Sequence, residues 1–118
     1  MRTSREDDVL RNMLDIARRI EKRVAISSRD EFLRDENLQL ALAHLIQSIG
    51  EAARQLPETT RGQLPAIPWS LIIGMRHRIV HQYIEVDEAI VWETAVHDIP
   101  ALIRELVRAL RDVGDTSS

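Results

Sequence analysis

From Leu38 to Leu56 the residues Leu38, Leu42, Leu45, Ile49, Ala52 and Leu56 recur at alternating intervals of four and three. Only a helix gathers such positions on one side, because side chains three and four apart lie over one another on a 3.6-residue turn. Further apolar residues at Leu40, Ala41, Ile46 and Ala53 widen the stripe, so this helix is expected at the centre with neighbours on more than one side. Composition agrees: 44% of the chain is apolar while only 3% is aromatic, so the core must come from Leu, Ile, Val and Ala, as in packed helices.

The remaining segments read in the same way. Val9, Met13, Ile16, Ile20 and Val24 predict a helix from about Ser4 to Val24, with Ser4 and Asp7 at capping-box-like spacing. Ser28 and Glu31 form a second capping box, from which the central helix is expected to start. Residues 57 to 68, "PETTRGQLPAIP", hold three of the four prolines and are expected to form a loop. A third helix should begin near Trp69 and Ser70 and end at about His81, followed by the connection "QYIEV". Asp87 is a good N-cap for a fourth helix carrying Ile90, Val91, Ala95, Ile99, Leu102, Leu106 and Leu110. Pro100 should kink or divide it, with Asp98 available to cap the second part. The expected architecture is an all-α, up-and-down bundle of four or five helices over residues 1–113, with 114–118 as a polar tail. So small a bundle leaves apolar surface that favours a homodimer.

With 118 residues the chain is one domain long, and it has no cysteine, which excludes disulfides and thiolate metal sites. No apolar run reaches the roughly 18 residues that span a bilayer, and "MRTSREDDVL" turns acidic where a signal peptide needs its apolar region, so the cytoplasm is the expected location. The net charge of −3 means that any nucleic-acid binding must come from a local cluster.

One such cluster is "MRHRIVHQY", Met75 to Tyr83, with two arginines, two histidines and the only tyrosine. To cut RNA, a 2′-hydroxyl must lose a proton, the leaving 5′-oxygen must gain one, and charge builds on the phosphorus oxygens. Imidazole can move either proton near neutral pH, which suits His81. The guanidinium of Arg76 offers phosphate a planar, permanently charged fork. This scheme needs no metal and no cofactor. On a regular helix Arg76 and His81 would point about 140° apart, so they can share a ligand only if the helix stops near His81 or if two protomers share one site. An Arg-x4-His pair alone is weak evidence in a chain with fifteen arginines and four histidines.

Three blocks together are more specific: "IGEAARQL" (49–56), "IPWSLIIGMRHRIVHQY" (67–83) and "VDEAIVWETAVHDIPAL" (86–102). In this order and spacing the chain resembles the HepT family of HEPN-domain ribonuclease toxins. The resemblance implies an all-α HEPN bundle, a homodimer with a cleft at its interface, and metal-independent endoribonuclease activity at an Arg-x4-His-x-Tyr motif. Arg76, His81 and Tyr83 occupy the three motif positions. It also implies a partner, a minimal nucleotidyltransferase antitoxin of the MntA type that transfers AMP onto the tyrosine, here Tyr83. Two positions depart from the family pattern: His77 stands where Asn or Asp is common, and Gln82 where glycine is common.

Other residues stay open. His77 is either a second proton-transfer group or a cation favoured by the helix C-terminus. His77, His81 and Glu85, at i, i+4 and i+8, also fit a zinc reading, although Glu85 should fall beyond the helix end. Glu51 either orients Arg76 from the second helix or is an ordinary solvated glutamate. His44 and His97 are expected in packing or surface positions, and Trp69 and Trp92 in core or dimer contacts. The rival to a toxin ribonuclease is a non-catalytic helical dimer that binds the nucleotidyltransferase partner.

Overall fold

The computed structural model describes the backbone of residues 2–81 and 85–117, and the side chains of residues 2–74 and 87–111. Helix α1 is Ser4–Ala25, α2 Arg29–Leu33, α3 Glu36–Ala53, α4 Glu58–Gly62 and α5 Trp69–Ile79. A two-residue strand β1, Val80–His81, pairs antiparallel with β2, Glu85–Val86. Helix α6, Glu88–Glu93, runs through a π-helical turn, Thr94–Asp98, into α7, Ile99–Ser117. The fold is an all-α bundle in which α3 is central, packed by α1 and by α5, while α7 closes the other side of α1. The last helix passes Gly114, where the polar tail of the sequence begins.

Helix α1 starts one residue earlier than the Ser4–Asp7 spacing suggests. Thr3 is the N-cap: its hydroxyl accepts from the Glu6 amide at 3.1 Å and the Glu6 carboxylate accepts from the Thr3 amide at 2.7 Å. Asp7 is buried instead and pairs with Arg2 at 2.8 Å. Arg2 also donates to the carbonyl of Ala109 at 2.9 Å, fastening the start of the chain to α7. The buried face of α1 is Leu10, Met13, Ile16, Ala17 and Ile20.

Glu6 has a second attachment. The hydroxyl of the buried Thr60, on α4, donates to its carboxylate, and this bond, with those from Thr3, draws the Glu6 pKa down to about 2. A carboxylate lowered on folding stabilises the folded state fully above its unfolded pKa and loses that contribution as pH falls through the folded value. Wild type should therefore be more heat-stable than Glu6→Gln at pH 6, with the difference in Tm shrinking between pH 4.5 and about 2. A gap in Tm that stays constant over this window would show that the Thr60 and Thr3 bonds do not depend on the charge.

The central helix is divided. The capping box of Ser28 and Glu31 is present, but it begins the five-residue α2, and the long helix has its own N-cap in Asp35, whose carboxylate accepts from the Leu38 amide at 3.0 Å. The break is stabilised locally: buried Gln39 donates from its side chain to the carbonyl of Phe32 at 2.9 Å. Phe32 is fully buried, and its ring meets Trp92 at a centroid distance of 5.1 Å, a tilted aromatic contact that ties α2 to α6. Along α3, Leu42, Ile46, Ile49, Ala52 and Ala53 are buried, as is Leu56 just beyond it. Leu40, expected in the widened stripe, is 48% exposed.

The proline-rich linker is not entirely loop. Pro57 takes the N-cap position of α4, a place where its missing N–H costs nothing. The fourth helix departs from expectation at Pro100. Asp87 caps α6, accepting from the Ile90 amide at 3.2 Å, but Asp98 is no cap, because the backbone never leaves the helical region: Glu93 sits at φ −59°, ψ −43° and Ile99 at φ −64°, ψ −45°. A cap requires a non-helical residue. The Ile99 amide bonds back to Thr94, and this widened turn accommodates the proline that follows without breaking the helix.

Candidate active site

The helix carrying the motif is seated by its first turn and by α3. Pro68 precedes α5, its carbonyl accepting from the Ile72 amide at 3.0 Å, and the Trp69 indole donates to the Leu64 carbonyl at 2.9 Å. On α3, Gly50 is buried against α5 so closely that a Cβ built on it would lie 2.9 Å from the carbonyl oxygen of Ile72. Glycine is required there by proximity of two backbones, not by its own torsion angles. Arg76 lies one helical turn after Ile72.

Arg76 and His77 are consecutive residues near the C-terminal end of α5, where the helix dipole favours cations. The helix stops at Ile79, two residues earlier than expected, and His81 belongs to β1, in register with Glu85 of β2. The 140° separation imposed by a regular helix therefore does not apply to His81. The side chains of Arg76, His77, His81 and Glu85 lie outside the described residues, as does Tyr83 altogether, and the zinc reading falls on these positions. Among the described residues no group of three or more His, Asp or Glu is placed to hold a metal ion.

Glu51, the residue after Gly50, is exposed, with Arg54 3.8 Å away. It lines an open groove of about 340 Å³ between α1 and α3, floored by Ile16 and Ala52. His44 lines the same groove and is exposed, and His97 is exposed beside Glu93 at 3.2 Å, so both are surface residues. Trp69 and Trp92 are half-buried and pack against the core. Sequence reasoning passed over Gly50 and the groove. A signal for the first was present: an uncapped glycine deep inside an otherwise strong helical pattern usually marks a close approach.

The chain is thus an all-α bundle whose central helix seats a helix ending just after Arg76 and His77. A family model described as "Ribonuclease HepT-like" matches residues 13–109. Among curated proteins, "Putative RNase MJ1216" of Methanocaldococcus jannaschii is 34% identical over 84 residues, covering 71% of this chain and 69% of its own length. "Putative RNase TTE0752" of Caldanaerobacter subterraneus subsp. tengcongensis is 34% identical over 90 residues, covering 76% of this chain and 80% of its own. "Probable ribonuclease HepT" of Thermococcus cleftensis is 36% identical over 73 residues, covering 62% and 66%. No solved structure matches the chain. The chain belongs to the HepT-like ribonuclease family. Among the described residues no helix is long and apolar enough to cross a membrane.

Proposed function

We propose that this protein is the toxin of a toxin–antitoxin pair, a metal-independent endoribonuclease acting as a cytoplasmic homodimer built from the domain of residues 1–113. Arg76 holds the scissile phosphate and offsets the charge that develops on its oxygens. His81 carries one of the two proton transfers, taking the proton of the 2′-hydroxyl as its oxygen bonds to phosphorus or giving one to the 5′-oxygen as its bond to phosphorus breaks. His77, or His81 of a second copy across an isologous cleft, supplies the other proton transfer. Glu51 supports the site from α3. The observation that carries the reading is that α5 stops at Ile79, between Arg76 and His81, inside the span that matches the ribonuclease family.

Control follows from the same stretch. Transfer of AMP from ATP to the Tyr83 hydroxyl by a nucleotidyltransferase antitoxin, with release of pyrophosphate, would add a bulky phosphodiester with a negative charge two residues from His81 and occupy Arg76, excluding substrate phosphate. The test begins with purified, unmodified protein and cellular RNA in excess EDTA, where cleavage should persist. Incubation with the nucleotidyltransferase and ATP should then abolish cleavage and add the mass of AMP to the peptide containing Tyr83. Tyr83→Phe should resist that inhibition. Cleavage that EDTA stops and a divalent cation restores would overturn the metal-independent scheme, and absence of cleavage of any cellular RNA would sink the enzymatic reading.

A further inference from the structure

The groove between α1 and α3 extends beyond Glu51 to residues that the motif does not account for. Asn12 of α1 and His44, Gln47, Ser48, Glu51 and Gln55, on or just beyond α3, make its polar wall. Its volume of about 340 Å³ falls at the lower end of the range for small-ligand sites, roughly 300–1,000 Å³. Among the described residues no lysine or arginine lines it, and the Glu51 carboxylate on its wall stands 3.8 Å from the Arg54 guanidinium. Three side-chain amides and an imidazole present paired donors and acceptors, the chemistry that reads the edges of bases, while the Ser48 hydroxyl donates to the His44 carbonyl at 2.9 Å and offers only its lone pairs. The apolar floor suits the face of a flat ring.

Position links the groove to the motif. Gln47 is three residues, almost one turn, before Gly50, so the wall of the groove adjoins the point where α3 touches Ile72 of α5. From Ile72, Arg76 is one turn on, about 6 Å along the helix axis.

We propose that this groove binds an unpaired nucleobase of the RNA, next to the nucleotide whose phosphate is cleaved. The inference rests on the ribonuclease reading of the chain and deepens it: Arg76 takes the backbone, which carries no sequence information, and the groove reads a base. A protein partner fits less well, because interface centres are depleted of charge and enriched in apolar groups. Among the described residues the exposed large apolar side chains, Ile26, Leu33 and Leu40, lie toward the α1–α2 turn and the start of α3.

The experiment uses single-stranded 2′-O-methyl oligonucleotides of defined sequence, whose blocked hydroxyl prevents cleavage, added to the full-length protein labelled with 15N. The side-chain amide signals of Asn12, Gln47 and Gln55 should shift in a sequence-dependent way. The double variant Gln47→Ala/Gln55→Ala should bind the preferred sequence about 10-fold or more weakly, as expected for loss of base-edge contacts. Unshifted amide signals, or affinity unchanged in the double variant, would overturn the proposal. So would a variant whose sedimentation shows altered self-association with oligonucleotide affinity intact, since a second copy would then fill the groove. Binding is read without turnover, so the two readings fail separately: a protein that binds here but cuts nothing loses the mechanism, and one that cuts RNA without engaging the groove loses the base site.

Discussion

Replacing His81 with alanine is expected to lower kcat/KM for RNA cleavage by about 10²–10⁴-fold, the usual contribution of a positioned proton-transfer group. That corresponds to roughly 3–5 kcal/mol of barrier. The variant keeps Arg76 and so should retain much of its affinity for RNA, which separates a loss in kcat from a rise in KM. Free imidazole added to His81→Ala should recover part of the rate. Arg76→Lys completes the argument: it keeps the charge but loses the planar fork, and should remain well below wild type. Equal cleavage by wild type and His81→Ala, with helicity verified by circular dichroism, would remove His81 from the mechanism.

A comparable loss should follow a substitution that touches no RNA. In Gly50→Ala the new methyl carbon would meet the Ile72 carbonyl oxygen at 2.9 Å, and backbone cannot swing aside as a side-chain tip can. Helix α5 must therefore move off α3. Overpacking of this kind costs about 1–3 kcal/mol, offset by up to about 1 kcal/mol of improved helix propensity. The larger consequence is for activity, because a displacement near 1 Å at a positioned group can cost about 100-fold. Gly74 is the control. It lies in α5, among the described residues nothing stands within 4 Å of a Cβ placed on it, and Gly74→Ala should be neutral or raise Tm. If Gly50→Ala and Gly74→Ala behave alike in Tm and in kcat, the close contact does not position the motif helix.

Much of the bundle is legible before any coordinates because burial follows helical period. Leu42, Ile49 and Ala52 on α3, and Met13, Ile16 and Ile20 on α1, are buried where their spacing places them. Caps are less legible, since several residues of similar chemistry compete. Ser4 and Asp7 have the right spacing, but Thr3 and Glu6 make the bonds, leaving Asp7 to Arg2. The split between α2 and α3 depends on Gln39 reaching the Phe32 carbonyl, a contact no periodicity encodes. Pro100 misleads for a different reason: proline excludes one particular hydrogen bond, and a π-helical turn avoids the loss as well as a break does. Of the candidate site, the helix end is what the sequence makes legible, expected near His81 because the following residues are polar and found at Ile79. The role of Gly50 needs the partner helix to be seen, because a steric requirement between two backbones leaves only a missing side chain in the sequence.

The unbroken helical backbone from Glu88 to Ser117 has a mechanical meaning. Beginning directly after β2, it is a single rod, and Ala109, where Arg2 fastens the chain's start, lies 21 residues along it, about 30 Å from its root. The Arg2 contact and the strand pair containing His81 are thus joined by one continuous helical backbone, about 30 Å apart along it.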